Sequence, residues 1–139
     1  MLRVLTLIGL TFLAACDELP ARPSPAQVAG NWSGTFESSS TTTRAITVTV
    51  TQASGDFNGR WVTDPTAWEG NFSGTVDNND RISGTLSINM PQLVGRCDAT
   101  AAFGGAVSSN DSTMNWNLSN FTGNCADPPA NGRIVIQRR

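Results

Sequence analysis

Phe72-Ser73-Gly74-Thr75-Val76, then Asp77-Asn78-Asn79-Asp80, then Ile82-Ser83-Gly84-Thr85-Leu86: two copies of one pattern flank a polar turn in this 139-residue chain. In an extended strand the first, third and fifth positions of the pattern face the same side. Each copy therefore sets a glycine between two bulky apolar side chains and turns Ser and Thr the other way. Asp and Asn tolerate positive φ, so the intervening turn joins the copies as an antiparallel hairpin. The same template recurs at Trp32-Ser33-Gly34-Thr35-Phe36, Phe57-Asn58-Gly59-Arg60-Trp61 and Phe103-Gly104-Gly105-Ala106-Val107. A glycine on the buried face weakens a strand locally, yet it permits the tight coiling that barrel closure needs, and neighbouring rings can cover the gap.

Plainer alternation supplies the other strands: Ile46, Val48 and Val50 among threonines, Met114, Trp116 and Leu118 among Asn and Ser, and Ile134 with Ile136. Eight strands are expected at 28–37, 45–52, 57–63, 68–76, 81–90, 97–107, 112–121 and 132–138. Connections two, four and six, at 53–56, 77–80 and 108–111, are short and polar; the odd ones, at 38–44, 64–67, 91–96 and 122–131, are mostly longer. The fold class is all-β: an eight-stranded antiparallel up-and-down barrel over residues 28–139, with the short turns at one end and the longer loops at the far end. Closure removes the edges that an open sheet would expose. Strands of about seven residues fall short of the roughly nine to eleven that cross a bilayer, and a chain without Tyr has a thin aromatic girdle, which argues against a transmembrane barrel.

The N-terminus follows other rules. Arg3, the apolar run from Val4 to Ala15 and the small residues at its end are the parts of an export signal, too short to span a bilayer. Leu13-Ala14-Ala15-Cys16 resembles the lipobox of bacterial lipoproteins. That resemblance implies a signal peptide at 1–15 that is removed, and Cys16 as the acylated first residue of the mature chain. Two or three acyl chains, at about 0.8 kcal/mol per buried methylene, hold a protein on a membrane without a transmembrane helix. An ordinary secretory signal with an incidental Cys is the alternative. Residues 16–27, with Pro20, Pro23 and Pro25, form a semi-rigid tether, placing the domain in the periplasm or outside the cell. Asp17 resembles an inner-membrane retention signal whose rule depends on lineage, so inner or outer membrane stays open. With Cys16 acylated, Cys97 and Cys125 form an even pair in an oxidising compartment and are expected to be disulfide-bonded. Folding the sixth and seventh strands about Asn110 sets Cys97 opposite roughly residue 122, near Cys125 at the far end.

Composition narrows the chemistry further. Nine Arg and no Lys face 11 acidic residues, for a net charge of −2, and His and Tyr are absent. Without a basic cluster no nucleic-acid partner is expected. Without His, Lys or an expected free thiol, a Ser or Thr nucleophile has no usual base, so no enzymatic activity and no cofactor are expected. Asp64, Asp98 and Asp127 are the one conceivable carboxylate set, with solvated loop charges the plainer reading. Asp77, Asn79 and Asp80 superficially resemble a calcium loop, but Ile82 stands where Gly is needed and no bidentate Glu follows; no metal is expected.

Gly30-Asn31-Trp32 resembles the G-x-W start of the calycins, the lipocalin, fatty-acid-binding and avidin barrels, and the stretch from Gly55 through Asp56, Phe57, Asn58, Gly59 and Arg60 to Trp61 resembles the second hairpin of avidin-type chains. The resemblance implies that Trp32 plugs the closed end, with Arg133 or Arg138 across it. The polar residues that bracket biotin in avidins are not recognisable. Two functions remain open. In one, an inner face without charge, lined by Phe36, Trp61, Phe72, Met90, Met114 and Trp116, takes a small apolar ligand. In the other, the interior is only a core, and the protein is an interaction module, an inhibitor or envelope accessory, whose far loops carry the contacts: Arg44, Asp64, Arg96 and 124–131. Eight strands can hold one ligand or be filled by side chains; the balance leans toward filling.

Overall fold

The computed structural model describes residues 25–39, 41–64, 68–92, 95–125 and 129–139. The signal peptide, Cys16, the tether to residue 24 and Asp127 lie outside the described residues. Eight strands, β1 (Gly30–Ser38), β2 (Thr41–Ala53), β3 (Asp56–Asp64), β4 (Glu69–Val76), β5 (Arg81–Gln92), β6 (Gly95–Val107), β7 (Thr113–Gly123) and β8 (Gly132–Arg138), close into one barrel. Each strand pairs antiparallel with its sequence neighbour, and β8 closes on β1. The up-and-down meander expected from the alternation is the fold.

The glycine template explains how the wall closes. Phe57 pairs with Gly74, Gly74 with Gly84, and Gly84 with Phe103, forming one row across four strands. The two central members have no side chains, so Phe57 and Phe103 lean over them from either side and their ring centroids meet at 6.1 Å. A Cβ on Gly84 would stand 2.6 Å from Phe103 Cζ and 2.2 Å from the carbonyl oxygen of Ser73. Nothing larger than hydrogen fits there. Gly59 beside Phe72, and Gly105 beside Trp116, repeat the pairing of an inward glycine with a ring on the next strand.

Several strands run past their expected ends. Thr41 to Arg44 belong to β2, and Pro91 and Gln92 to β5, where Gln92 pairs with Gly95. The first and fifth connections therefore shrink to residues 39–40 and 93–94, and the expected contrast between short and long ends survives only at the seventh, 124–131. Thr-rich sequence suits a strand as well as a loop, which is why the threonine run extends β2. The 13 residues of β2 and β6 and the 12 of β5 also remove strand length as an argument against a membrane barrel. The outer face supplies a better one: Thr49, Thr51, Ser73, Thr75, Ser83, Thr85 and Asn117 are exposed on it, a polar surface that hydrocarbon does not solvate.

The barrel also takes in the end of the expected tether. Ala26 and Val28 are buried against the short-turn end. The Gln52 side chain holds them there, accepting from Val28 N at 2.7 Å and donating to the carbonyls of Ala26 and Ser54. A fully buried Trp32 lies beneath and donates its indole N–H to the Val28 carbonyl at 2.9 Å. Arg138 stacks over its ring at 4.5 Å, so of the two arginines weighed for that position Arg138 occupies it. Trp32 plugs this end.

The Gly84→Ala variant should lose about 3 kcal/mol of stability or more, because overpacking here is against backbone as well as a ring. The exposed Thr85→Ala, one residue away, should stay within about 0.5 kcal/mol. Urea unfolding of the two variants against the parent chain checks this.

Candidate functional site

Phe36, Trp61, Phe72, Met90, Met114 and Trp116 all point inward and are buried, from 0 % exposed for Met114 and Trp116 to 8 % for Met90. Around mid-height Phe57, Phe72, Phe103 and Trp116 form one cluster, with Trp116 stacked on Phe103 at 4.8 Å and edge-on to Phe72 at 5.0 Å. Toward the far end Phe36, Trp61 and Trp68 form a second, with Phe36 stacked on Trp61 at 6.1 Å and edge-on to Trp68 at 6.0 Å. Rings, not an open lumen, occupy these two levels. The hollows of about 780 and 890 Å³ lie on the outer wall, bordered by exposed side chains such as Arg60, Asn71, Ser87 and Thr100 in the first and Thr35 and Asp64 in the second.

The far mouth departs most from expectation. The sequence places Arg44 in a far loop and leaves the inner face free of charge. It lies instead within β2 and pairs directly with the inward Phe36. Paired residues share a face, so Arg44 points into the mouth, where its guanidinium stacks 4.2 Å over the Trp68 ring. Its Nε is buried and has no hydrogen-bond partner. Trp68 is itself fixed by Thr63, the buried polar residue of the core: Thr63 N donates to the Trp68 carbonyl at 2.8 Å, and Trp68 N donates to Thr63 Oγ1 at 3.2 Å. Trp61 reaches across Gly70 and donates its indole N–H to the Ser87 carbonyl at 3.1 Å.

Trp61 would clash with any side chain at Gly70, where a Cβ would sit 2.8 Å from Nε1. The β4–β5 ladder is interrupted beside it, and the Ser87 hydroxyl fills in, accepting from Asn71 N and donating to the Asn71 carbonyl. Trp116 has no such outlet, and its Nε1 is buried without a partner.

The cysteines close the same end. Cys97 and Cys125 are disulfide-bonded, with Cα atoms 5.0 Å apart. Between Ser119 and Thr122 β7 carries an extra residue, with Asn120 at φ 53°, and this bulge moves the register so that Ala99 pairs with Gly123. Two residues further along, Cys97 meets Cys125 directly, three residues beyond the expected position: the bulge supplies one of the three, and the Val107–Met114 register at the turn supplies the rest. Asn124 supports the junction, with its side chain accepting from Asp98 N at 2.8 Å and its own N–H donating to the Asp98 carbonyl at 3.1 Å.

Of the expected carboxylates, the two described ones, Asp64 and Asp98, do not come together. Asp64 and Asp98 are exposed on the outer wall, on strands three apart. Among the described residues no group of three His, Cys, Asp or Glu could hold a metal ion. Asp77 instead shapes its own turn, accepting from Asn79 N and Arg81 N. The side chain of Arg96 lies outside what is described. Compared with protein-family models, curated proteins and solved structures, the chain matches none.

Replacing both Cys97 and Cys125 with Ala should cost about 3 kcal/mol, from the entropy of closing a 28-residue separation. The measure is the urea midpoint of the double variant against the oxidised parent.

Proposed function

We propose that this protein is a non-catalytic, lipid-anchored module of the bacterial cell envelope, calycin-like in build, that engages its partner with the far end of a filled barrel. The observation that carries this reading is the pair of ring clusters at mid-height and beneath the far mouth. They leave the interior as a core and the mouth, with its inward arginine, as the chemically distinct surface. The lipobox-like Cys16 supplies the anchor. The segment 25–29 packs at the short-turn end, and this supports a geometry in which the far end faces away from the membrane. The lack of His and Lys supports binding rather than acid–base chemistry.

One observation favours the other reading, a small ligand within the barrel: the partnerless indole N–H of Trp116, since a buried unpaired donor costs about 1–3 kcal/mol and a ligand acceptor could satisfy it.

Native mass spectrometry of the detergent-extracted full chain separates the two. A retained protein that is displaced by Thr122→Arg at the far end, and not by Ser109→Arg at the short-turn end, is the expected result. A retained small molecule that is lost in Trp116→Phe would favour the interior. Retention of neither would overturn both. For the anchor, Cys16→Ser should move the protein from the membrane fraction to the soluble one; unchanged fractionation would refute lipidation.

A further inference from the structure

The inner face carries an arginine stacked on a tryptophan at each end, and the two are differently employed. At the short-turn end Arg138 lies over Trp32 and donates to three carbonyls, those of Asp111, Ala29 and Gln27. Every edge of that guanidinium has an acceptor, and it caps the barrel. At the far end Arg44 lies over Trp68 at 4.2 Å with no acceptor for its buried Nε, and among the described residues it forms no ion pair with an acidic side chain. The ion pair between Arg60 and Glu69 stands on the outer wall and does not involve it.

A guanidinium offers five N–H donors in a planar fork, and stacking on an indole holds that plane while leaving its edge free. The acceptor that matches such an edge with two parallel hydrogen bonds is a carboxylate. We propose that Arg44, held by Trp68 over the Phe36–Trp61 floor, is a carboxylate receptor at the far mouth. The carboxylate belongs to a small organic acid or to the chain end or an acidic side chain of a partner protein. This inference rests on the far-end reading above and names the chemistry that end recognises. Thr63, by fixing the backbone of Trp68, acts as a positioning residue for the receptor.

The test is an NMR titration of the ¹⁵N-labelled full chain in detergent, following the Arg44 Nε–H and Trp68 indole signals. Two carboxylate probes are used, benzoate and acetyl-Gly-Phe with a free C-terminus, beside their neutral counterparts benzamide and acetyl-Gly-Phe amide. Saturable shifts of both signals are expected with the carboxylates, at least tenfold tighter than with the amides. The acid that binds more tightly identifies the source as a free acid or a protein terminus. The Arg44→Gln variant should abolish this preference, and Arg44→Lys, which keeps the charge without the fork, should weaken binding about tenfold at an unchanged thermal midpoint. Equal affinity for acid and amide, a silent Arg44 signal, or undiminished binding by Arg44→Lys would overturn the proposal. A partner protein that Arg44→Gln retains and Thr122→Arg displaces would overturn it while leaving the far-end reading in place.

Discussion

Phe57 and Phe103 belong to strands three apart, yet their rings touch, because Gly74 and Gly84 between them have no side chains to hold them off. The rest of the molecule depends on that contact. The missing side chains let the wall bend sharply, and the rings that lean in from both sides fill the space the bend encloses. Each glycine thus acts twice, once on curvature and once on volume. Were the same positions occupied by Val or Thr, as on an ordinary strand face, the strands would be held flatter and the rings would have no place to lie.

A barrel filled in this way has its chemistry pushed to the ends, and the ends differ. The buried Trp32, the half-buried Gln52 and the exposed Arg138 form a cap in which the main polar groups are matched: the indole to a carbonyl, the amide to backbone on both sides, the guanidinium to three carbonyls. At the far mouth Thr63, Trp68 and the disulfide are as firmly built, but the buried Nε of the Arg44 guanidinium is left without a partner. Buried polar groups are usually hydrogen-bonded, so a well-anchored residue with an unused donor is where an outside acceptor gains most. The contrast between two similar stacks in one molecule is more informative than either alone.

Much of this was legible in the residues. Period-two alternation and the repeated glycine specify the barrel and which way its aromatic residues point, and the two cysteines within the barrel sequence, Cys97 and Cys125, point to the disulfide. Trp32 as an end plug, with a late arginine across it, follows from the resemblance and matches the structure. Arg44 is harder to read, because a strand taken from Ala45 starts four residues late; the alternation of Ile46, Val48 and Val50 extends back to Arg44, but a charged residue beside a threonine run looks like loop. The exact meeting of Cys97 with Cys125 was hidden by the bulge at Asn120, since one extra residue leaves no mark on composition. Trp68 and Thr63 are bound to each other through one backbone bond and one bond from Trp68 N–H to the Thr63 hydroxyl, a pairing that period-two alternation does not encode.

The seam between β1 and β8 has a temporal meaning. Arg138 and the carbonyl of Ala29 that it grips are 109 residues apart along the chain, and the ladder beside them joins comparably distant segments. Pairings so remote in sequence form slowly, because the whole intervening loop must close before they are rewarded. Until β8 arrives, β1 has an unpaired edge and Trp32 has no cover. A chain emerging N-terminus first would therefore stand as an open, sticky sheet until its last strand arrives, and that strand would act as the latch that closes the wall.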